Sequence, residues 1–173
     1  MRKVTLLLIV ALAFGGALSA QEAADFTLPA PQFLAFDIGA GLGFSFSEEY
    51  AIGTDQAGGV TNFGVRISAL ENLIVGLDSL IAYGGNPGST GFLFTGLRFG
   101  YNFIPQAGAT IGIGYSTLAS KVAVSLGVYG DLFQKRAANG LTTGLKIRID
   151  YFAPVSDSSK GTIVFTPAFS FGL

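Results

Sequence analysis

The sequence contains no cysteine, no histidine and no tryptophan, a single methionine, and only 12% charged residues over its 173 positions. Without cysteine there is no disulfide framework, and with histidine also missing the usual zinc sites and any triad built on an imidazole base are excluded. Charge at this level is about half of what a soluble surface normally carries, so something other than water is expected to cover part of the molecule. A formal charge of −1 offers no basic face to nucleic acid. What the chain does have is 50% hydrophobic residues, 25 glycines and 16 phenylalanines. That is enough apolar surface for a folded single domain and too much for a disordered chain.

The first twenty residues read as an address. Arg2 and Lys3 form a positive start, Thr5 to Phe14 a short apolar core, and Leu18-Ser19-Ala20 ends on the small residue that a signal peptidase prefers before Gln21. An apolar run interrupted by Gly15-Gly16 falls short of the roughly twenty residues a spanning helix needs. Residues 1–20 are therefore expected to be a cleaved secretory signal, and with no cysteine after them a lipid-modified start is excluded. The mature chain carries eight basic and eleven acidic residues, a net charge of −3. Residues 21–32, with Pro29 and Pro31, form a short polar lead, and residues 33–173 the patterned domain.

That domain alternates with a period of two, the period of a strand. From Phe33 to Ser47, Leu34, Phe36, Ile38, Ala40, Leu42, Phe44 and Phe46 share one face, while Asp37, Gly39, Gly41, Gly43 and Ser45 share the other. Seven more runs repeat the pattern: Val60–Leu70, Leu73–Ile81, Phe92–Phe103, Ala107–Thr117, Val122–Gln134, Leu141–Tyr151 and Thr162–Leu173. On this pattern Leu93 belongs to the apolar face, and Ile74, Leu80, Phe94, Tyr129 and Phe133 to the opposite one. Runs of about ten residues suit a transmembrane β-strand. Charges past residue 32 fall either in connectors (Glu48, Glu49, Asp55, Glu71, Lys135, Arg136, Asp157, Lys160) or on the small, polar face. A soluble barrel needs a dense charged coat on its polar face, and this face is mostly glycine, serine and threonine. The expectation is therefore lipid outside and polar groups inside. An open sheet edge cannot persist in hydrocarbon, so the fold class is all-β: a closed, eight-stranded, antiparallel, up-and-down transmembrane β-barrel.

In this pattern the mature chain resembles the small eight-stranded outer-membrane barrels, the class of the OmpA transmembrane domain, OmpX and OmpW. The resemblance implies an outer-membrane location in a diderm bacterium, outer-membrane lipid around the barrel, and contact with the barrel-assembly machinery during insertion. It also implies a monomer with both ends on the periplasmic side. That class usually ends on an aromatic residue; here Phe169, Phe171 and Leu173 keep the alternation and end it on leucine. Pro167 removes a ladder donor, and a bulge or local distortion is expected there.

Inside the barrel, hairpin arithmetic places Asp37, Arg66, Asp78 and Arg98 at nearly one level on four successive strands. Lys121, Asp131, Lys146, Arg148 and Asp150 complete a near-neutral set, read as an ion-pair plug. Its alternatives are a narrow conduit selecting ions, and an OmpW-like passage for apolar solutes lined by Ile74, Leu80, Phe94, Tyr129 and Phe133. A soluble, secreted barrel around an apolar ligand is the reading from a different class. The longest outer connectors are where a surface partner would bind, with Glu48, Glu49, Tyr50 and Asp55 as the candidates. Catalysis is not expected: a Ser125–Lys146 pair lacks an activated base, and no cofactor or metal site is legible. Gly39-Ala40-Gly41-Leu42-Gly43 misses dinucleotide spacing and precedes no helix.

Overall fold

The computed structural model describes residues 34–46, 57–70, 72–83, 90–104, 106–156 and 161–173. The expected signal and lead, and the loop candidates Glu48, Glu49, Tyr50 and Asp55, lie outside the described residues. Eight strands follow one another: β1 (Leu34–Ser45), β2 (Ala57–Leu70), β3 (Leu73–Ala82), β4 (Gly91–Ile104), β5 (Ala107–Ser116), β6 (Lys121–Arg136), β7 (Thr142–Pro154) and β8 (Thr162–Gly172). Each pairs antiparallel with the next, and β8 returns to β1, so the sheet closes with an up-and-down strand order.

Closure has a measurable stagger. Directly paired residues lead from Ala35 through Arg66, Gly76, Arg98, Gly112, Ser125, Phe152 and Thr162 to Ser45, so one circuit returns ten residues further along β1. Eight strands with that stagger tilt by about 40° from the axis and enclose a bore that side chains can fill. The alternation in the sequence becomes an inside and an outside. Outward Ile38, Leu42, Phe63, Leu77, Leu97, Ile111, Leu126 and Phe169 are exposed, while inward Asp37, Asn62, Asp78, Arg98, Lys146, Arg148 and Asp150 are buried.

Several expectations are corrected. At Pro167 the disturbance takes the form of a local distortion and not of a bulge: β1 and β8 keep one register from Ala35↔Gly172 to Ser45↔Thr162, and the pairing lapses at Ala40 and Gly41. The register shifts sit elsewhere. One between Leu80 and Ile81, opposite Phe94 and Phe92, adds Leu93 as an extra residue and turns it into the fully buried core. Another between Asp131 and Phe133 makes Leu132 the extra residue, which sends Phe133 outward and puts Gln134 opposite inward Gly144. Because β6 runs on to Arg136, Lys135 and Arg136 belong to a strand and not to a connector.

The interior has two halves. At the end away from Leu34 and Leu173, Val60, Leu80, Ala82, Leu93, Phe94, Ala123, Phe152 and Val164 pack into an apolar plug, flanked by Leu118 and Ala119 of the β5–β6 turn. Phe94 and Phe152 meet at 5.2 Å between ring centroids with their planes tilted by 42°, within the range of buried aromatic pairs. The rest of the bore is charged.

Candidate functional site

Charged side chains fit inside so narrow a bore because glycines face them. Asp37 lies directly opposite Gly64, which is in turn opposite Asp78; Arg66 lies opposite Gly76, which is opposite Arg98. The two acids therefore share one row and the two arginines the next, a two-residue offset from the single level expected from hairpin arithmetic. Each long arginine reaches back diagonally to an acid. On the far wall Asp150 faces Gly127, where a methyl group would overlap the Asp150 carboxylate and the Thr110 hydroxyl.

The ion pairs form two groups of four, each with two acids and two bases. In the first, Arg66 Nε lies 3.3 Å from Asp37 Oδ2, and Lys146 Nζ lies 3.5 Å from the same oxygen and 3.9 Å from Asp131 Oδ1. The second is a closed ring. Arg148 Nη2 contacts Asp78 Oδ2 at 2.6 Å and Asp150 Oδ2 at 3.1 Å; Arg98 contacts the same two acids through Nε at 3.1 Å and Nη1 at 2.7 Å. Asn62 ties into this ring by donating to Asp78 and accepting from Arg148 Nη1 at 2.9 Å. Arg66 also donates to Ser170 at 2.6 Å, and Tyr129 donates to Asn102 while its ring lies 4.9 Å from Lys146 Nζ.

The lattice is fastened to the plug. The Arg98 guanidinium lies 5.8 Å from the Phe94 ring centroid and 5.6 Å from that of Phe152, so one cation serves two carboxylates and two aromatic faces. Each buried charge still incurs a desolvation penalty, and its opposite partners in the lattice offset it.

Eight of the nine lumen residues expected from sequence are thus brought together. Lys121 is not among them: it stands exposed at the plug-end rim, at the start of β6. Asn62, Tyr129 and the two phenylalanines were not part of the expected charge set. Their inward parity was readable, but which charge each would touch depends on the stagger of the whole barrel. Of the residues considered for an apolar passage, Leu80 and Phe94 are packed solid in the plug and Phe133 faces outward; Ile74 and Tyr129 line a recess of about 50 Å³ beside the lattice, room for a few water molecules. Among the described residues no group of three acids is arranged to hold a metal ion. The arrangement can neutralise buried charge and brace opposite walls of the barrel.

No protein-family model matches the chain, and no curated protein matches it. Among solved structures, one from work on the de novo design of transmembrane β-barrels is similar, with a TM-score of 0.44 and 13% sequence identity over 82% of this chain and 97% of that one.

Proposed function

We propose that the chain is an integral outer-membrane β-barrel with a structural or surface-interaction role and a bore closed to ions, of the OmpA, OmpX and OmpW kind in size. The observation that carries this reading is the distribution of polarity across the wall. Outward Leu42, Leu77, Ile111 and Phe169 are 56 to 61% exposed, while four acids and four bases are enclosed. A protein dissolved in water gains nothing from that inversion, whereas hydrocarbon favours it. At a tilt of about 40°, strands of a dozen residues rise roughly 30 Å, which matches a bilayer core. The leader-like residues 1–20 supply the export step this location needs, outer-membrane lipid is the barrel's partner, and insertion passes through the barrel-assembly machinery.

A closed bore is supported by two barriers in series, the ion-pair ring and the apolar plug. The test is refolding into lipid, assayed by a different gel migration of unheated and boiled protein, followed by single-channel recording in a planar bilayer. The expected result is a folded, silent protein. Discrete, salt-dependent steps changed by Arg98→Ala would instead make the lattice the selectivity element of a small conduit. A water-soluble barrel around an apolar ligand requires a charged outer coat, and the outward apolar face weighs against it.

A further inference from the structure

The seam between β1 and β8 differs from the other seven. Leu34 and Leu173 exchange both of their hydrogen bonds, and Phe46 N donates to Gly161 O at 2.9 Å. Antiparallel ladders alternate bonded and non-bonded pairs, so every second pair between these belongs to the bonded class, and Ala40 opposite Pro167 is one of them. Pro167 has no N–H to give. The Ala40 carbonyl therefore lacks its ladder donor, and here the β1–β8 pairing lapses. On its other side Pro167 stands opposite Ile147 in the non-bonded class, so the β7–β8 ladder loses nothing and runs unbroken.

This carbonyl lies in the outer wall. Ala40 and Pro167 are both exposed, and they floor a recess of about 590 Å³ walled by Ile38, Phe63, Leu145 and Phe169. Of the hydroxyls lining the recess, Thr61 is engaged with Tyr83 at 3.0 Å and Ser79 with Thr95 at 2.9 Å, while the unpartnered Thr166 hydroxyl beside the lapse is fully buried on the inner side of the wall. Within hydrocarbon an acceptor deprived of its donor is costly, and water is not at hand to supply one.

We propose that this recess binds one acyl chain bearing a mid-chain hydroxyl, the hydrocarbon lying against Ile38, Phe63, Leu145 and Phe169 and the hydroxyl donating to the Ala40 carbonyl. The inference rests on the membrane reading above. Ala40 stands at the middle of β1, roughly 15 Å below either edge of the hydrocarbon core, so the donor must sit well down the chain and not beside its headgroup. The recess size falls within the range of ordinary small-ligand sites.

The test is native mass spectrometry of the detergent-extracted, folded barrel with equal amounts of 12-hydroxyoctadecanoic, 3-hydroxyoctadecanoic and octadecanoic acid. The 12-hydroxy acid should be retained about three- to tenfold more than the other two, the range expected for one net hydrogen bond. Pro167→Ala restores the amide donor and should erase that preference, while Ala40→Phe fills the recess and should lower retention of all three. Equal retention by the wild type, or a preference that survives in Pro167→Ala, overturns the proposal; so does a dimer peak abolished by Ala40→Phe, which would assign the recess to a second copy. If Pro167→Ala fails to fold, Ala40→Phe against the wild-type preference decides. A wild-type chain that never gives a heat-modifiable band in lipid defeats the membrane reading itself, a separate readout from the retention ratios.

Discussion

Arg148 and Asp78 are bonded across the whole bore: Nη2 lies 2.6 Å from Oδ2, joining β7 to β3, four strands away in a ring of eight. Replacing Arg148 with Met leaves Asp78 and Asp150 sharing one remaining cation, Arg98. The expected loss is about 3–5 kcal/mol, read from urea unfolding of the refolded barrel. Adding Asp78→Leu to that variant removes one acid with its base and leaves the Arg98–Asp150 pair, so the double variant should be more stable than Arg148→Met alone. A double variant less stable than the single would contradict a charge-balanced lattice.

Phe94 is fully buried and lies against both Phe152 and the Arg98 guanidinium. Phe94→Ala should cost about 3–5 kcal/mol through the cavity it leaves. Shortening Phe152 as well removes most of the plug's bulk, and if the plug is one of two barriers, adding Arg98→Ala should turn a silent barrel into one with measurable conductance. Silence from this triple variant, once folded, would locate the block elsewhere.

Leu97 faces outward in the middle of β4 and is 46% exposed. An arginine there should cost about 2–4 kcal/mol near the bilayer midplane and reduce the heat-modifiable fraction after refolding in lipid. Normal folding of Leu97→Arg in plain buffer would favour the water-soluble alternative.

Leu132 is the extra residue of the β6 bulge, where the register with β7 shifts between Asp131 and Phe133. Its deletion lets Phe133 follow Asp131 on a regular ladder while keeping Asp131 inward and Phe133 outward. The barrel should survive with a loss below about 2 kcal/mol, measured by the same unfolding curves. Deleting Leu126 instead reverses the faces of half the strand and should prevent folding.

The period-two pattern made the strand count, the closure and the inside–outside assignment legible, since alternation over ten residues has few other solutions. Residues such as Leu93 and Phe133 were misassigned for a local reason: a single-residue bulge reverses parity beyond it, and nothing in Phe92-Leu93-Phe94 or Asp131-Leu132-Phe133 marks the break. The offset between the Asp37–Asp78 and Arg66–Arg98 rows has another cause. Hairpin midpoints estimated from turn residues carry an error of one pair, which moves a side chain one inward step along the bore. The apolar plug was also within reach, because Val60, Leu80, Phe94, Phe152 and Val164 have inward parity and cluster at one end of their strands. Recognising it requires reading the inward face as a sequence of heights, not only as polar or apolar.

The pairing of glycine with buried charge has a consequence for inheritance. Asp150 occupies space that exists because residue 127 has no side chain, and a Cβ at Gly64 would stand 3.0 Å from Asp78 Oδ1. Neither member of such a pair can change freely while the other stays. Among descendants of this chain, positions 127 and 150 should drift together: a larger residue at the first should accompany a shorter, uncharged one at the second, with a matching loss among the cations at 98 and 148.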